Sequence, residues 1–155
     1  MYDAAGSIRS RPLWEHYYDD ADGIIFLIDS ADIDRQEEMC LVYSAVVAAV
    51  YDVGQRKNQG RRRIPIAVLS NKSDLASPTL NDKSGESGGR HKQQQQQIMT
   101  PVDLEDILPF DSRVNVKYFQ GSGLLALNEG AGGEGLNTRA VQQITEWIVK
   151  EAKKR

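Results

Sequence analysis

The chain contains one cysteine in 155 residues. Because Cys40 has no second thiol to pair with, an internal disulfide and a metal site built from cysteines are both excluded. The sequence also shows no signal peptide after Met1. A chain with neither disulfides nor a secretory signal is expected in the reducing cytosol. We therefore expect a cytoplasmic protein.

Clustered positive charge is also lacking. The net charge is −3, and the one basic run, Arg61-Arg62-Arg63, is short; we interpret it as a solvated loop before a strand. Because nucleic-acid binding needs clustered positive charge, we expect no nucleic-acid partner. Nothing in the composition indicates a fibre or a membrane span. The length of 155 residues predicts a single domain, residues 1–155.

The most informative stretch is an apolar run that ends in a polar cluster. Residues 66–69 show no polar alternation, which predicts a strand buried on both faces of a parallel α/β sheet. Ligands of such sheets bind at the carboxyl ends of the strands, where this chain places Asn71, Lys72 and Asp74. This N-K-x-D arrangement suits guanine, because the base offers two adjacent donors, N1–H and the 2-amino group, to one carboxylate. A polar loop after a strand is the alternative explanation.

Each residue of this cluster has a predicted role. Asp74 is the carboxylate that accepts from both guanine donors. Lys72 can lay its stem along the face of the ring, and Asn71 can hold the loop and reach the far edge of the base. At the other end of the sequence, Asp3 and Gly6 form a D-x-x-G step. An aspartate at a strand end can hold a Mg²⁺ shell, and a glycine lets its N–H approach a phosphate.

Three segments in this order resemble the ADP-ribosylation factor family of small GTPases, including its Arf-like and Arf-related members. They are D-x-x-G-x-x-x-x-R-P-L-W-x-H-Y at residues 3–17, G-I-I-F-L-I-D-S at residues 23–30, and N-K-S-D at residues 71–74. The resemblance implies a P-loop-NTPase-like (Ras-like) fold, in which helices flank a parallel sheet. It also implies a GTP/GDP switch that uses Mg²⁺ and acts in membrane trafficking, with Asp3 and Gly6 in the second switch region and Asp3 at the metal.

Departures from the family pattern limit what can be carried over. No G-x-x-x-x-G-K-[ST] occurs in the sequence, so the loop that cradles the phosphates, with its lysine and Mg²⁺-binding hydroxyl, is missing. We expect a chain that lacks the N-terminal strands and the phosphate loop and that is inactive as given. After Gly6 the family usually keeps a glutamine that orients the attacking water. This chain has Ser7 there, and its hydroxyl is too short to do so unaided.

Two hypotheses about the whole protein remain open. One is an Arf-family GTPase whose chain is truncated at the N-terminus. The other is a non-enzymatic pseudo-GTPase, an interaction module without nucleotide turnover. The first is favoured, because removing the strand beside residues 24–28 would expose a flat apolar edge that invites aggregation. Those residues carry neither charge nor proline against it.

The loop after Gln120 holds the remaining base contacts that the resemblance implies. Family members have a short segment there whose backbone contacts the guanine carbonyl, and Ser122, Gly123 and Leu124 are the best match. A Gly-rich loop extension follows at residues 124–135. Residues 76–99 form a low-complexity insertion rich in Ser, Gly and Gln, which we expect to be disordered. Order is predicted to resume at a helix cap formed by Thr100, Pro101 and Asp103.

The other elements follow from periodicity. Residues 24–28 are uniformly apolar and predict a strand buried on both faces, and residues 114–119 predict the last strand. A helix is predicted to face the sheet and to end within residues 52–59, and a second helix, capped by Asn137, closes the chain. The inward residues are Met39, Tyr43, Val46, Val47 and Val50 in the first helix, and Leu136, Ala140, Val141, Ile144, Trp147 and Ile148 in the second.

Four aromatic and aliphatic residues form the candidate partner-binding site. A short helix after Pro12 would bring Leu13, Trp14 and Tyr17 together, and Tyr2 joins them by the resemblance. The alternative is that they pack in the core. The resemblance implies that effector, exchange-factor and activating proteins bind the second-switch region. It also implies that a full-length form is peripheral on Golgi or other endomembranes, with membrane association only through an N-terminal segment missing here.

Overall fold

The computed structural model describes residues 2–56, 63–76, 97–122 and 136–154. Their regular elements are three strands, four α-helices and three short 3₁₀ turns. The strands are β1 (Ile24–Asp29), β2 (Pro65–Asn71) and β3 (Asn115–Gln120), and the helices are α1 (Glu15–Tyr18), α2 (Gln36–Arg56), α3 (Pro101–Ile107) and α4 (Leu136–Ala152). The 3₁₀ turns are Arg11–Trp14, Ile33–Arg35 and Ser73–Ala76.

The strands form one parallel sheet in the order β1-β2-β3. Ile24 pairs with Ile66 at one end of the β1–β2 ladder and Asp29 pairs with Asn71 at the other. In the central strand β2 every residue from Pro65 to Ser70 is buried. The predicted parallel α/β sheet and its doubly covered strand are therefore confirmed.

Helices cover both faces of this sheet. α2 and α3 pack on one face, where Tyr43 and Leu104 join the strand residues Ile66 and Val68 in the larger core. α4 packs on the other face, where Ile144 meets a smaller cluster. The strand residues of that cluster are Ala67, Leu69 and Phe119. The alternation of odd and even strand positions between the two faces is what a period of two residues requires.

The prediction that β1 is buried on both faces is wrong for one face. Ile25 and Leu27 are 40% and 61% exposed, whereas Phe26 packs against the larger core. The reason is the position of α4, which lies over β2 and β3 and approaches β1 at Gly23, where an added Cβ would clash with Ile148. Within the described part of the sheet β1 is also an edge strand.

One of the two predicted helix boundaries differs from the structure. α2 ends at Arg56, within the predicted range of residues 52–59. α4 begins at Leu136, which places Asn137 inside its first turn instead of at the cap. Val141 is exposed, although it was assigned to the inward face. The inward positions predicted for α2 are confirmed: Tyr43, Val46, Val47 and Val50 are buried, and Met39 is partly buried against the same core.

Order begins before the predicted residue Thr100. Ile98 and Met99 are both buried, and the Met99 N–H donates to the Ser30 carbonyl at 2.8 Å. The capping box itself is confirmed: the Thr100 hydroxyl accepts from the Asp103 N–H and the Asp103 side chain accepts from the Thr100 N–H. Residues 77–96 of the low-complexity segment and residues 123–135, which include Gly123, Leu124 and the Gly-rich extension, lie outside the described residues.

Candidate functional site

The carboxyl ends of the three strands bring the loops that follow them together. Asp29 of β1 lies opposite Asn71 of β2, and Ser70 of β2 lies opposite Gln120 of β3. Of the predicted base-binding residues, Asn71 is the last residue of β2, Lys72 and Asp74 follow it, and Ser122 follows β3 by two positions. The parallel register therefore gathers at one edge of the sheet residues that are far apart in the sequence.

Backbone hydrogen bonds fasten these loops to one another. The Gly121 N–H donates to the Ser70 carbonyl at 2.9 Å, and the Ser73 N–H donates to the Gly121 carbonyl at 3.1 Å. On the other side, the fully buried Ser30 donates to the Asn71 carbonyl from both its N–H and its hydroxyl. The loop after β2 is thus held from both neighbouring strands.

Asp74 lies in the 3₁₀ turn Ser73–Ala76, where its carboxylate accepts from the hydroxyl of Ser122. Ser122 is buried, with 1% of its surface exposed. The resemblance implied only backbone contacts from this segment, whereas the structure shows that the side chain of Ser122 orients the Asp74 carboxylate. An ionised carboxylate has about four acceptor positions, so one donor leaves capacity for others.

Lys72 is the only non-glycine residue with a positive φ among those the structure describes, at 65°. Such a backbone conformation is uncommon outside glycine and concentrates at functional sites. The Lys72 ammonium lies 2.6 Å from Asp29 Oδ2. This hydrogen bond, followed by the negative charges of Asp29, Asp32 and Asp74, raises the pKa of Lys72. The lysine is therefore held, fully protonated, across the ends of β1 and β2.

The segment with the D-x-x-G step lies beside the end of β1. Asp3, Gly6 and Ser7 are all exposed, and the Ser7 hydroxyl is 2.8 Å from that of Ser10. A salt bridge of 2.6 Å from Arg11 to Glu38 fastens the segment to α2. A cavity of about 370 Å³ opens between the segment, the end of β1 and the start of α2.

Asp3 is the predicted metal ligand. Within residues 2–56, 63–76, 97–122 and 136–154, no three His, Cys, Asp or Glu side chains are grouped as a metal site would require. Mg²⁺ typically binds one or two carboxylates together with substrate phosphates and water. A single carboxylate such as Asp3 therefore fits a Mg²⁺ site that phosphates and water complete.

Three of the four candidate partner-binding residues form an exposed surface. The predicted short helix after Pro12 is confirmed, because the 3₁₀ turn Arg11–Trp14 continues directly into α1. Tyr2, Leu13 and Tyr17 are exposed, and the rings of Tyr2 and Tyr17 lie 4.9 Å apart between centroids. Trp14 is half-buried and packs against the larger core.

Several residues of this region were not found by sequence reasoning. No role at the site was predicted for Asp29 or Ser30, yet Asp29 binds the Lys72 ammonium and Ser30 donates to the Asn71 carbonyl. The Arg11–Glu38 pair joins residues 27 positions apart. No local sequence pattern predicts such contacts, because they depend on which helices and strands lie side by side in the fold.

No described helix combines the length and the apolar character needed to cross a membrane.

Comparison with known proteins gives one family match, described as the ADP-ribosylation factor family, which covers residues 1–102. Human ADP-ribosylation factor-like protein 4C is 38% identical over 75 residues, covering 48% of this chain and 34% of that protein. Human ADP-ribosylation factor-like protein 4A is 34% identical over 75 residues, covering 48% and 33%. ADP-ribosylation factor-like protein 3 of Caenorhabditis elegans is 29% identical over 84 residues, covering 54% and 40%.

These matches span about a third of the length of the human relatives. Among solved structures, the Arl6 BBS3 small GTPase of Trypanosoma brucei, determined with the bound nucleotide analogue GppNp, has a similar fold. The TM-score is 0.62 at 21% identity, over 97% of this chain and 69% of that one. At this identity the likeness concerns the fold alone, and it agrees with the predicted Ras-like arrangement of a parallel sheet and flanking helices.

Proposed function

The chain belongs to the ADP-ribosylation factor family, and from that premise we propose that it binds guanine nucleotides at the joined carboxyl ends of its strands. The observation that carries the proposal is the Asp74 carboxylate, which the buried Ser122 hydroxyl holds in place after the central strand. A structural loop after a strand does not need an oriented carboxylate next to a lysine with a left-handed backbone.

Base recognition follows from the geometry of donors and acceptors. Asp74 accepts from N1–H and the 2-amino group of guanine, and the charge of the carboxylate strengthens both bonds. Lys72 covers one face of the ring, which requires its ammonium to stay near Asp29 while its stem contacts the base. Asn71 holds the loop and reaches the far edge. Ser122 has two roles, positioning Asp74 and, together with Gly123 and Leu124, contacting the guanine carbonyl.

The switch chemistry is proposed for the second-switch segment. The Gly6 N–H would contact the terminal phosphate, and Asp3 would help to hold a Mg²⁺, which would neutralise charge on the phosphates. Ser7 occupies the position next to the reacting phosphate. Its short hydroxyl is already within hydrogen-bond distance of Ser10, so we expect a full-length form to hydrolyse GTP slowly without an activating protein, whereas the chain as given stays inactive.

The cellular role follows from the family. A GTP/GDP switch of this kind acts in membrane trafficking, in the cytoplasm and at the surface of Golgi or other endomembranes. Effector, exchange-factor and activating proteins bind the surface of Tyr2, Leu13 and Tyr17, where exposed aromatic rings provide anchors. Trp14 lies beneath this surface and supports it from the core side.

A titration with mononucleotides tests base recognition without requiring a phosphate loop. GMP added to the ¹⁵N-labelled chain should shift the amide signals of residues 71–74 and Ser122, whereas AMP should not. In Asp74→Asn the amide presents donors to the guanine donors, so the GMP shifts should disappear. XMP, which has a carbonyl in place of the 2-amino group, should then be preferred over GMP.

Asp52→Asn is the matched control, since Asp52 is an exposed carboxylate in the last turns of α2, away from the carboxyl edge of the sheet. It should leave the GMP response unchanged. Unchanged selectivity between GMP and XMP in Asp74→Asn would remove Asp74 from the base site and refute the proposed function.

A further inference from the structure

Two side chains hold two consecutive backbone carbonyls in the second-switch segment. The indole Nε1–H of Trp14 donates to the Ala5 carbonyl at 3.0 Å. The Nε–H of Arg11 donates to the Gly6 carbonyl at 3.1 Å. Arg11 is in turn anchored to α2, because its second nitrogen lies 2.6 Å from Glu38 Oε1. The peptide units before and after Gly6 are therefore both held by side chains of the same 3₁₀ turn.

The local structure explains why both side chains reach the same segment. Arg11 and Trp14 are the first and last residues of the 3₁₀ turn. A 3₁₀ helix has three residues per turn, so side chains at positions i and i+3 lie on the same face. Pro12 favours this turn, because its fixed φ suits the first helical positions. The two donors consequently face the preceding loop together.

Holding a carbonyl also sets the direction of the next N–H. A trans peptide is planar, and its C=O and N–H bonds point in opposite directions. The Ala5 carbonyl belongs to the same peptide plane as the Gly6 N–H, and the Gly6 carbonyl to the same plane as the Ser7 N–H. Trp14 thus orients the Gly6 N–H, and Arg11 orients the Ser7 N–H.

These two N–H groups are open to a ligand. Neither forms a hydrogen bond with any of the described residues. Gly6 and Ser7 are exposed, and a Cβ placed on Gly6 would meet no atom within 4 Å. Two adjacent N–H donors with fixed directions and free space in front of them suit an anionic oxygen.

We propose that Trp14 and Arg11 are positioning residues, which direct the Gly6 and Ser7 N–H groups towards the terminal phosphate of a bound nucleotide. This inference rests on the proposed function and deepens it. The terminal phosphate is present in GTP and absent from GDP, so the two side chains set how strongly this segment distinguishes the two nucleotides. Because Arg11 also binds Glu38 of α2, a change in the conformation of the second-switch segment would be passed on to α2.

The first experiment needs no nucleotide. Trp14→Phe keeps an aromatic ring and removes the N–H donor, and Trp147→Phe is the matched control because Trp147 packs against Phe119 on the α4 side of the sheet. In the ¹⁵N-labelled full chain, the order parameter of the Gly6 N–H should fall from a rigid value near 0.85 towards a flexible one below about 0.6 in Trp14→Phe. It should not change in Trp147→Phe.

Arg11→Lys tests the second anchor. Lysine keeps the charge opposite Glu38 but has no Nε–H for the Gly6 carbonyl, so the Ser7 N–H order parameter should fall while the Gly6 N–H stays rigid. If Trp14→Phe does not fold, the wild-type protein still gives an answer. The Trp14 indole N–H should exchange with deuterium several-fold more slowly than that of Trp147, and equal exchange rates would overturn the proposal.

The second experiment uses GDP and the analogue GppNp at millimolar concentration, read at two sets of amide signals. In the wild type, residues 71–74 should respond equally to both nucleotides, and Gly6 and Ser7 should respond more to GppNp. Trp14→Phe should reduce that difference at least twofold without changing the response of residues 71–74. An unchanged difference would overturn the inference. If the amide signals of residues 71–74 shift with neither nucleotide, the proposed function is refuted instead. The order parameters would still show whether Trp14 and Arg11 hold the two N–H groups.

Discussion

Replacing Ser122 by alanine removes the hydroxyl that holds the Asp74 carboxylate. A hydrogen bond to a charged group contributes about 1.5–3 kcal/mol, and about 1.4 kcal/mol corresponds to a factor of ten in affinity. We therefore expect GMP to bind roughly ten- to a hundredfold more weakly to Ser122→Ala. The free energy of unfolding should fall by only about 1 kcal/mol, because Asp74 is partly exposed and water can replace the lost donor.

The assay combines a GMP titration, followed at the Lys72 and Ser73 amides, with chemical denaturation of the same samples. Ser44→Ala is the control, since the Ser44 hydroxyl donates to the Cys40 carbonyl at 2.8 Å on an exposed face of α2. It removes a serine hydrogen bond to a neutral carbonyl away from the strand ends and should leave GMP affinity unchanged. If Ser122→Ala binds GMP as the wild type does, the hydroxyl does not position the base-binding carboxylate and the reasoning is wrong.

Three further changes test the fold and the partner surface. Gly23→Ala should lower the free energy of unfolding by about 1–3 kcal/mol, as overpacking does, because its Cβ would clash with Ile148; a neutral effect in urea denaturation would show that α4 can move. Thr100→Ala should cost about 1 kcal/mol by removing the N-cap of α3. The hydrogen bond from the Thr100 hydroxyl lowers the pKa of Asp103 in the folded state. The stability that this hydrogen bond adds is therefore fully present above the unfolded-state pKa of about 3.9 and is lost as the pH falls through the lower, folded-state pKa. The stability difference between Thr100→Ala and the wild type should accordingly shrink in acid, and a constant difference would contradict the assignment. Tyr17→Ala, at a position 39% exposed, should weaken effector binding by roughly 1–3 kcal/mol with little loss of stability, and a core-sized drop in melting temperature would show that Tyr17 is packing.

The sequence alone determined the elements whose cause is local. β2 was predictable because consecutive buried positions leave no polar alternation, and Thr100 with Asp103 marked the start of α3 because a capping box needs only four residues. The short helix after Pro12 followed from the same kind of signal. The N-K-x-D spacing of Asn71, Lys72 and Asp74 after a buried strand also predicts a base site, because one carboxylate can accept from both guanine donors; that assignment stays a prediction.

Only the tertiary structure decided the contacts that give these residues their roles. Ser122 reaches Asp74 across 48 positions and Lys72 reaches Asp29 across 43, because a parallel register places the three strand ends side by side. The exposure of Leu27 depends on where α4 lies, which the apolar character of β1 cannot report. Periodicity and capping act within a few residues of the chain, whereas the partner of a side chain is fixed by packing between elements, and that packing is settled only when the whole core forms.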